Sequence, residues 1–101
     1  VEEVRQVVDW AKFPPLGHRG INTGNYEGNY GKSSLAEHIR RCNAERWLSV
    51  QIETLEALEA VEEIARVDDV DHLFVGPADL SVSLGVPGEF LHAKCLTALE
   101  R

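Results

Sequence analysis

Glu53 and Asp79 are the side chains in this sequence whose type and spacing are best suited to chemistry. Each follows a short apolar run that reads as a buried strand, Trp47–Ile52 before the first and His72–Val75, stopped by Gly76-Pro77, before the second. A helix-period segment lies between them, so the order is strand, helix, strand. Such a unit is nearly always a right-handed parallel pair, which puts both strand ends at the same edge of a sheet. Neighbouring strands lie about 4.8 Å apart, and the two carboxylates then converge on one small volume. Two acids at such an edge suit a hard divalent cation with open coordination positions. The alternative is a helix-capping Asp and an exposed Glu.

Asp79 is expected to open a helical turn, with the backbone N–H groups of Ala78, Asp79 and Leu80 pointing outward as a site for a carboxylate. A cation beside that turn can hold the keto oxygen and one carboxylate oxygen of a 2-oxo acid, with the other carboxylate oxygen on the amides. Gln51, two residues before Glu53, points to the same side of its strand. Its amide either bonds the keto acid or fills the centre of the sheet.

A Schiff-base mechanism needs a desolvated lysine, usually deep on a strand. Lys12, Lys32 and Lys94 all read as helix ends, loops or helix surfaces. Among the histidines, His72 enters its strand from the far edge, His38 and His92 read as helix-surface residues, and His18, in a loop, is the one weak candidate for a base. No catalytic residue is therefore assigned within the chain. There is no Gly-x-Ser-x-Gly, and the Gly-rich stretch lacks a dinucleotide or P-loop pattern.

The elements that must position these groups follow from periodicity. Val1, Val4, Val7, Val8 and Ala11 recur at helical spacing, and Phe13-Pro14-Pro15-Leu16-Gly17 ends that helix. Residues 18–31, rich in Gly, Asn and Tyr, read as a long loop with room for a very short strand at 20–23. Ser34-x-x-Glu37 is a capping box for a helix over 35–43. Arg40 and Arg41 read as solvent-facing. Thr54 caps one helix carrying Leu55, Leu58, Val61, Ile64 and Ala65, and Asp68–Asp71 turns the chain back into the second strand. A single helical turn over 80–84 ends at Gly85, and Phe90, Leu91, Cys95, Ala98 and Leu99 pattern a last helix.

The 101 residues suffice for one small domain, and the net charge of −7 leaves no basic stripe for a phosphate backbone. The 44% hydrophobic content contains no run of bilayer length. Cys42 and Cys95 read as buried thiols of a cytoplasmic protein, without a Cys-x-x-Cys for zinc. The absence of any methionine and a start inside an amphipathic pattern give the expectation of a piece of a larger protein. Two parallel strands alone leave faces uncovered that such sheets normally protect.

Gln51-Ile52-Glu53-Thr54 and Phe74-Val75-Gly76-Pro77-Ala78-Asp79-Leu80-Ser81, followed by Ser83-Leu84-Gly85, resemble the HpcH/HpaI aldolase family of metal-dependent pyruvate aldolases. Phe13-Pro14-Pro15-Leu16-Gly17-His18-Arg19-Gly20 resembles the family's Tyr-Pro-Pro-x-Gly-x-Arg-Gly segment. The resemblance covers nearly the whole chain. It implies an α/β segment of a (β/α)8 TIM barrel, two central parallel strands with flanking helices, with the site at the carboxyl face. It further implies that Glu53 and Asp79 bind Mg, Mn or Co and that Gln51, Ala78 and Asp79 contact substrate, Ala78 through its N–H. The reaction implied is reversible cleavage of a 2-oxo-4-hydroxy acid to pyruvate and an aldehyde, in a full-length protein that forms homo-oligomers. Ile52 and Thr54 replace the commoner Val and Ser. The family's base histidine, its aspartate and its arginine belong to earlier strands, so the 101 residues by themselves are expected to be inactive. The alternatives are a CoA-ester lyase of the citrate-lyase-like type and an inactive truncated remnant.

Overall fold

The computed structural model describes residues 1–100, which fall into two compact units, Glu2–Leu48 and the residues from Ser49 onward.

In the first unit, α1 spans Glu2–Ala11, as the spacing predicts, and buries Val8. The two prolines stop it, and the chain end they leave is held by a side chain the sequence did not flag. Asn43 accepts from the Phe13 N–H and donates to its carbonyl, both at 2.9 Å. The residues after it form no strand at 20–23; a 3-10 turn at Asn29–Gly31 is the only regular piece among the described loop residues. Polar ties take the place of a ladder. Arg19 lies over the Phe13 ring at 4.9 Å and donates to Glu27 at 2.5 Å, and Arg46 also donates to Glu27. Asn25 and Asn22 accept from the N–H groups of Gly28 and Gly24, which satisfies backbone that a strand would otherwise pair.

Ser34 caps α2 by accepting from the Glu37 N–H at 3.2 Å, and the helix runs Leu35–Glu45, two residues beyond its predicted end. Its inner face corrects one expectation. His38 is not a surface residue but 1% exposed, packed edge-on against Phe13 with ring centroids 5.7 Å apart and with the Cys42 thiol 3.7 Å from its Nε2. Arg40 is exposed and Arg41 half-buried.

In the second unit β1, Ser49–Ile52, and β2, His72–Val75, form a two-stranded parallel sheet with Ser49 opposite His72 and Ile52 opposite Val75. Trp47 and Leu48, expected in the first strand, fall outside it: the paired register runs from Ser49 opposite His72 to Ile52 opposite Val75. The core is Ile52, Leu58, Ile64, Leu80, Val86, Cys95 and Ala98. Cys42 and Cys95 are both free and buried, as predicted. Ile52 is 2% exposed, but Phe74 and Val75 are 44% and 38% exposed, so one strand of this pair is poorly covered.

Between the strands the expected single helix is two, α3 over Leu55–Glu59 and α4 over Val61–Ala65, broken at Ala60. In a continuous helix Leu58 and Ile64 would lie about 120° apart around the axis. The break resets the phase, and both are buried. After β2, α5 spans Pro77–Ser83 and so starts three residues before the predicted turn, with proline at its first position, where a missing N–H costs nothing. The last helix, α6, is shorter than predicted, Ala93–Leu99. Phe90 and Leu91 precede it in one turn, closed by the His92 N–H on the Glu89 carbonyl, and Leu91 is 85% exposed. His92, expected on a helix surface, is its N-cap and accepts from the Lys94 N–H at 3.1 Å. Among the described residues no helix is long and apolar enough to cross a membrane.

Candidate functional site at the carboxyl edge of the strand pair

The parallel register brings β1 and β2 to an end level with each other, and the Gly76 N–H continues the ladder onto the Ile52 carbonyl at 3.0 Å. Glu53 leaves β1 at this edge and Asp79 sits in the first turn of the helix that leaves β2 there. A cation shared by the two carboxylates requires a common edge, and the parallel topology supplies it.

Glu53 is half-buried and lies against Gly76: a Cβ on that glycine would stand 2.9 Å from Glu53 Oε2. Gln51, two positions earlier and on the same side of the strand, donates from Nε2 to Glu53 Oε2. Asp79 is exposed and is the third residue of α5, not its cap; Gly76 holds the cap position and contributes no side-chain bond. A carboxylate in the first turn suits the positive end of a helix. Among the described residues neither Glu53 nor Asp79 forms an ion pair with a basic side chain.

One detail of the expected anion site changes. The Leu80 N–H is engaged by the Gly76 carbonyl at 2.9 Å, so it is not available to a ligand. Ala78 and Asp79 lie in the first turn, where an α-helix leaves N–H groups without an intrahelical acceptor. The expected carboxylate site thus keeps two of its three amides, those of Ala78 and Asp79.

Two serines that the sequence argument used only as motif letters fix this edge. The Leu55 N–H donates to Ser83 Oγ at 2.8 Å, which joins the exit of β1 beyond Glu53 to the helix that carries Asp79. Thr54 caps α3 as predicted, accepting from the Ala57 N–H at 3.1 Å. Ser81 is completely buried; its hydroxyl donates to the Ala78 carbonyl at 2.6 Å and accepts from the Gly88 N–H at 2.9 Å. Ser81→Ala leaves the Gly88 donor without its partner, so the thermal midpoint is expected to fall by an amount equivalent to about 1–3 kcal/mol, measured by calorimetry.

The remaining candidates are elsewhere. His72 opens β2, at the end of the strand away from Glu53, and its Nδ1 lies 2.9 Å from Ser49 Oγ. In the first unit, His18 is exposed and bonded to Asp9 at 2.5 Å. Lys12 stands at the end of α1, as read from the sequence, and on no strand; it is 5% exposed and its Nζ donates to the Arg46 carbonyl at 3.3 Å. A concavity of about 700 Å³ lined by Leu58, Leu84, Thr97 and Ala98, among others, includes none of Gln51, Glu53, Ala78 and Asp79.

The donor set can be weighed for a cation. Two carboxylates provide hard oxygen ligands at an exposed edge, which fits a Mg- or Mn-type ion with open positions. Among the described residues no group of three or more His, Cys, Asp or Glu stands close enough to hold a metal, so the rest of the coordination sphere would come from water and substrate. The residues present fit that use.

Comparison with known proteins agrees on kinship. The HpcH/HpaI aldolase/citrate lyase family profile matches residues 1–101. A hydroxypyruvate/pyruvate aldolase of Sagittula stellata is 42% identical over 98 residues, covering 97% of this chain and 38% of that protein. A 4-hydroxy-2-oxo-heptane-1,7-dioate aldolase of Escherichia coli is 32% identical over 100 residues, again covering 38% of its length. The crystal structure of an HpcH/HpaI aldolase from Desulfitobacterium hafniense superposes with a TM-score of 0.87 at 35% identity, over 98% of this chain and 38% of that one. The chain thus spans a little over a third of the relatives it matches, and its two parallel strands with flanking helices are a segment of their TIM barrel. The chain belongs to the HpcH/HpaI aldolase/citrate lyase family.

Proposed function

We propose that this chain supplies the metal-holding part of a pyruvate aldolase site, within a complete barrel that cleaves a 2-oxo-4-hydroxy acid to pyruvate and an aldehyde and runs the reverse addition. The observation that carries this reading is the pair of carboxylates, Glu53 and Asp79, at one carboxyl edge of a parallel strand pair. The names of the relatives, pyruvate aldolase and 4-hydroxy-2-oxo-heptane-1,7-dioate aldolase, favour aldol chemistry over a CoA-ester lyase.

Glu53 and Asp79 would hold a divalent cation such as Mg, Mn or Co. When bound, such an ion supplies Lewis-acid polarisation of a keto oxygen. The residues of this chain do the rest of the gripping. The Ala78 and Asp79 N–H groups receive one carboxylate oxygen of the 2-oxo acid at the first turn of α5. Gln51, whose side-chain amide carries a second N–H and an oxygen beyond its bond to Glu53, faces the same side and is within the substrate contact set. No group in this chain is assigned the proton transfer, since neither histidine of the second unit follows a strand end. The acid–base residues would come from other strands of the barrel, and the protein would act in the cytoplasm as a homo-oligomer.

The test is turnover of the complete barrel with pyruvate, a short aldehyde and Mn. Aldol product that disappears on addition of a chelator, and returns with excess Mn, is the expected result. Product formation that survives chelation, or is blocked by borohydride trapping of a lysine imine, would contradict the reading.

A further inference from the structure

Gly76 has a backbone conformation, φ −92° and ψ 88°, that does not call for glycine. Its φ is negative, so L-residues tolerate it. The residue is nevertheless buried, and the reason is space. A Cβ there would collide with Gln51 Nε2 and would stand 2.9 Å from Glu53 Oε2 and 3.0 Å from Glu53 Cβ. The volume that glycine leaves open is filled by two side chains bonded to each other, Gln51 Nε2 donating to Glu53 Oε2. A half-buried carboxylate has several rotamers open to it. Here one of its oxygens is held by the amide on one side, while the Gly76 backbone, just past the end of the neighbouring strand, limits it on the other.

We propose that Gln51, seated in the space left by Gly76, is a positioning residue that holds the Glu53 carboxylate ready for a divalent cation. This rests on the metal reading given above and deepens it: Gln51 acts on the cation through Glu53, before any 2-oxo acid arrives. Glycine at 76 is then a requirement of the carboxylate's placement, not of the turn. Partners that orient a ligating carboxylate typically change metal affinity by about 10- to 100-fold when removed.

The experiment is a Mn titration followed by electron paramagnetic resonance, on the complete barrel with no 2-oxo acid present. Four proteins are compared: the parent, Gln51→Met, Gly76→Ala and Glu53→Ala. Gln51→Met keeps the length and volume of the side chain and removes the donor. Thermal melts of the metal-free proteins report folding separately. Gln51→Met and Gly76→Ala are expected to raise the Mn dissociation constant by about tenfold or more, with Gln51→Met melting as the parent does. A group that only contacts substrate would leave this substrate-free affinity unmoved. Parental Mn affinity in Gln51→Met, with binding lost in Glu53→Ala, would overturn the positioning role and leave the metal reading standing. Parental affinity in Glu53→Ala would overturn both.

Discussion

Replacing either Glu53 or Asp79 by Ala is expected to lower metal-dependent aldol turnover of the complete barrel by roughly a thousandfold. The two side chains are the carboxylates at the common edge of β1 and β2, and Ala in either place leaves a single acid there. Lewis-acid stabilisation of developing charge is worth several kcal/mol, and each 1.4 kcal/mol is a factor of about ten in rate. The folding cost should be small, because Asp79 is exposed and, among the described residues, the Glu53 carboxylate bonds only to the exposed Gln51. Glu56→Ala, at an exposed acid in the first turn of α3, serves as the control and is expected to turn over as the parent does. Steady-state rates across a Mn titration distinguish a weakened metal site from a lost one. Saturation at high Mn with recovered turnover would mean that the remaining acid suffices.

The second large effect concerns the 101 residues expressed by themselves, for which no aldol product is expected. In the unit that carries Glu53 and Asp79, His72 stands at the amino end of β2 and His92 is spent capping α6, so no histidine there is placed to take a proton at the carboxyl edge. The same unit leaves Phe74 and Val75 exposed on a two-stranded sheet. Open strand edges and uncovered apolar faces favour association with other chains. Size-exclusion chromatography should therefore find oligomers, and a melt should be broad. A monomer with a sharp cooperative melt and measurable aldol product would refute this expectation and make His18 the residue to test as base.

How far the sequence alone led can be judged from single residues. The extent of β2, the Thr54 and Ser34 caps and the common edge of Glu53 and Asp79 follow from local apolar runs, short-range capping chemistry and the handedness of crossovers. These signals act over a few residues or through one topological rule. What was missed depends on contacts between elements. Nothing local marks Ala60 as a break, because alanine is the best helix former; burying both Leu58 and Ile64 decides it. His38, between Glu37 and Ile39, read as a surface residue because histidine is polar, and its burial depends on Phe13 arriving from a distant stretch. Phe90 and Leu91 fit a helical period but precede the helix, inside a turn that the His92 N–H closes on the Glu89 carbonyl. At the carboxyl edge, the placement of the two acids was legible and the reason for Gly76 was not. A glycine beside a proline reads as a strand stop, whereas here it is the space that Gln51 and Glu53 occupy.

The central claim is that Glu53 and Asp79 together hold the cation that activates a 2-oxo acid. Solvent deuterium entering the methyl group of pyruvate, followed by proton magnetic resonance with Mn and no aldehyde, isolates that step from the rest of the aldol reaction. The account predicts exchange in the complete barrel, its loss on chelation, and no exchange above background in Glu53→Ala or Asp79→Ala. Undiminished exchange in both variants would contradict it.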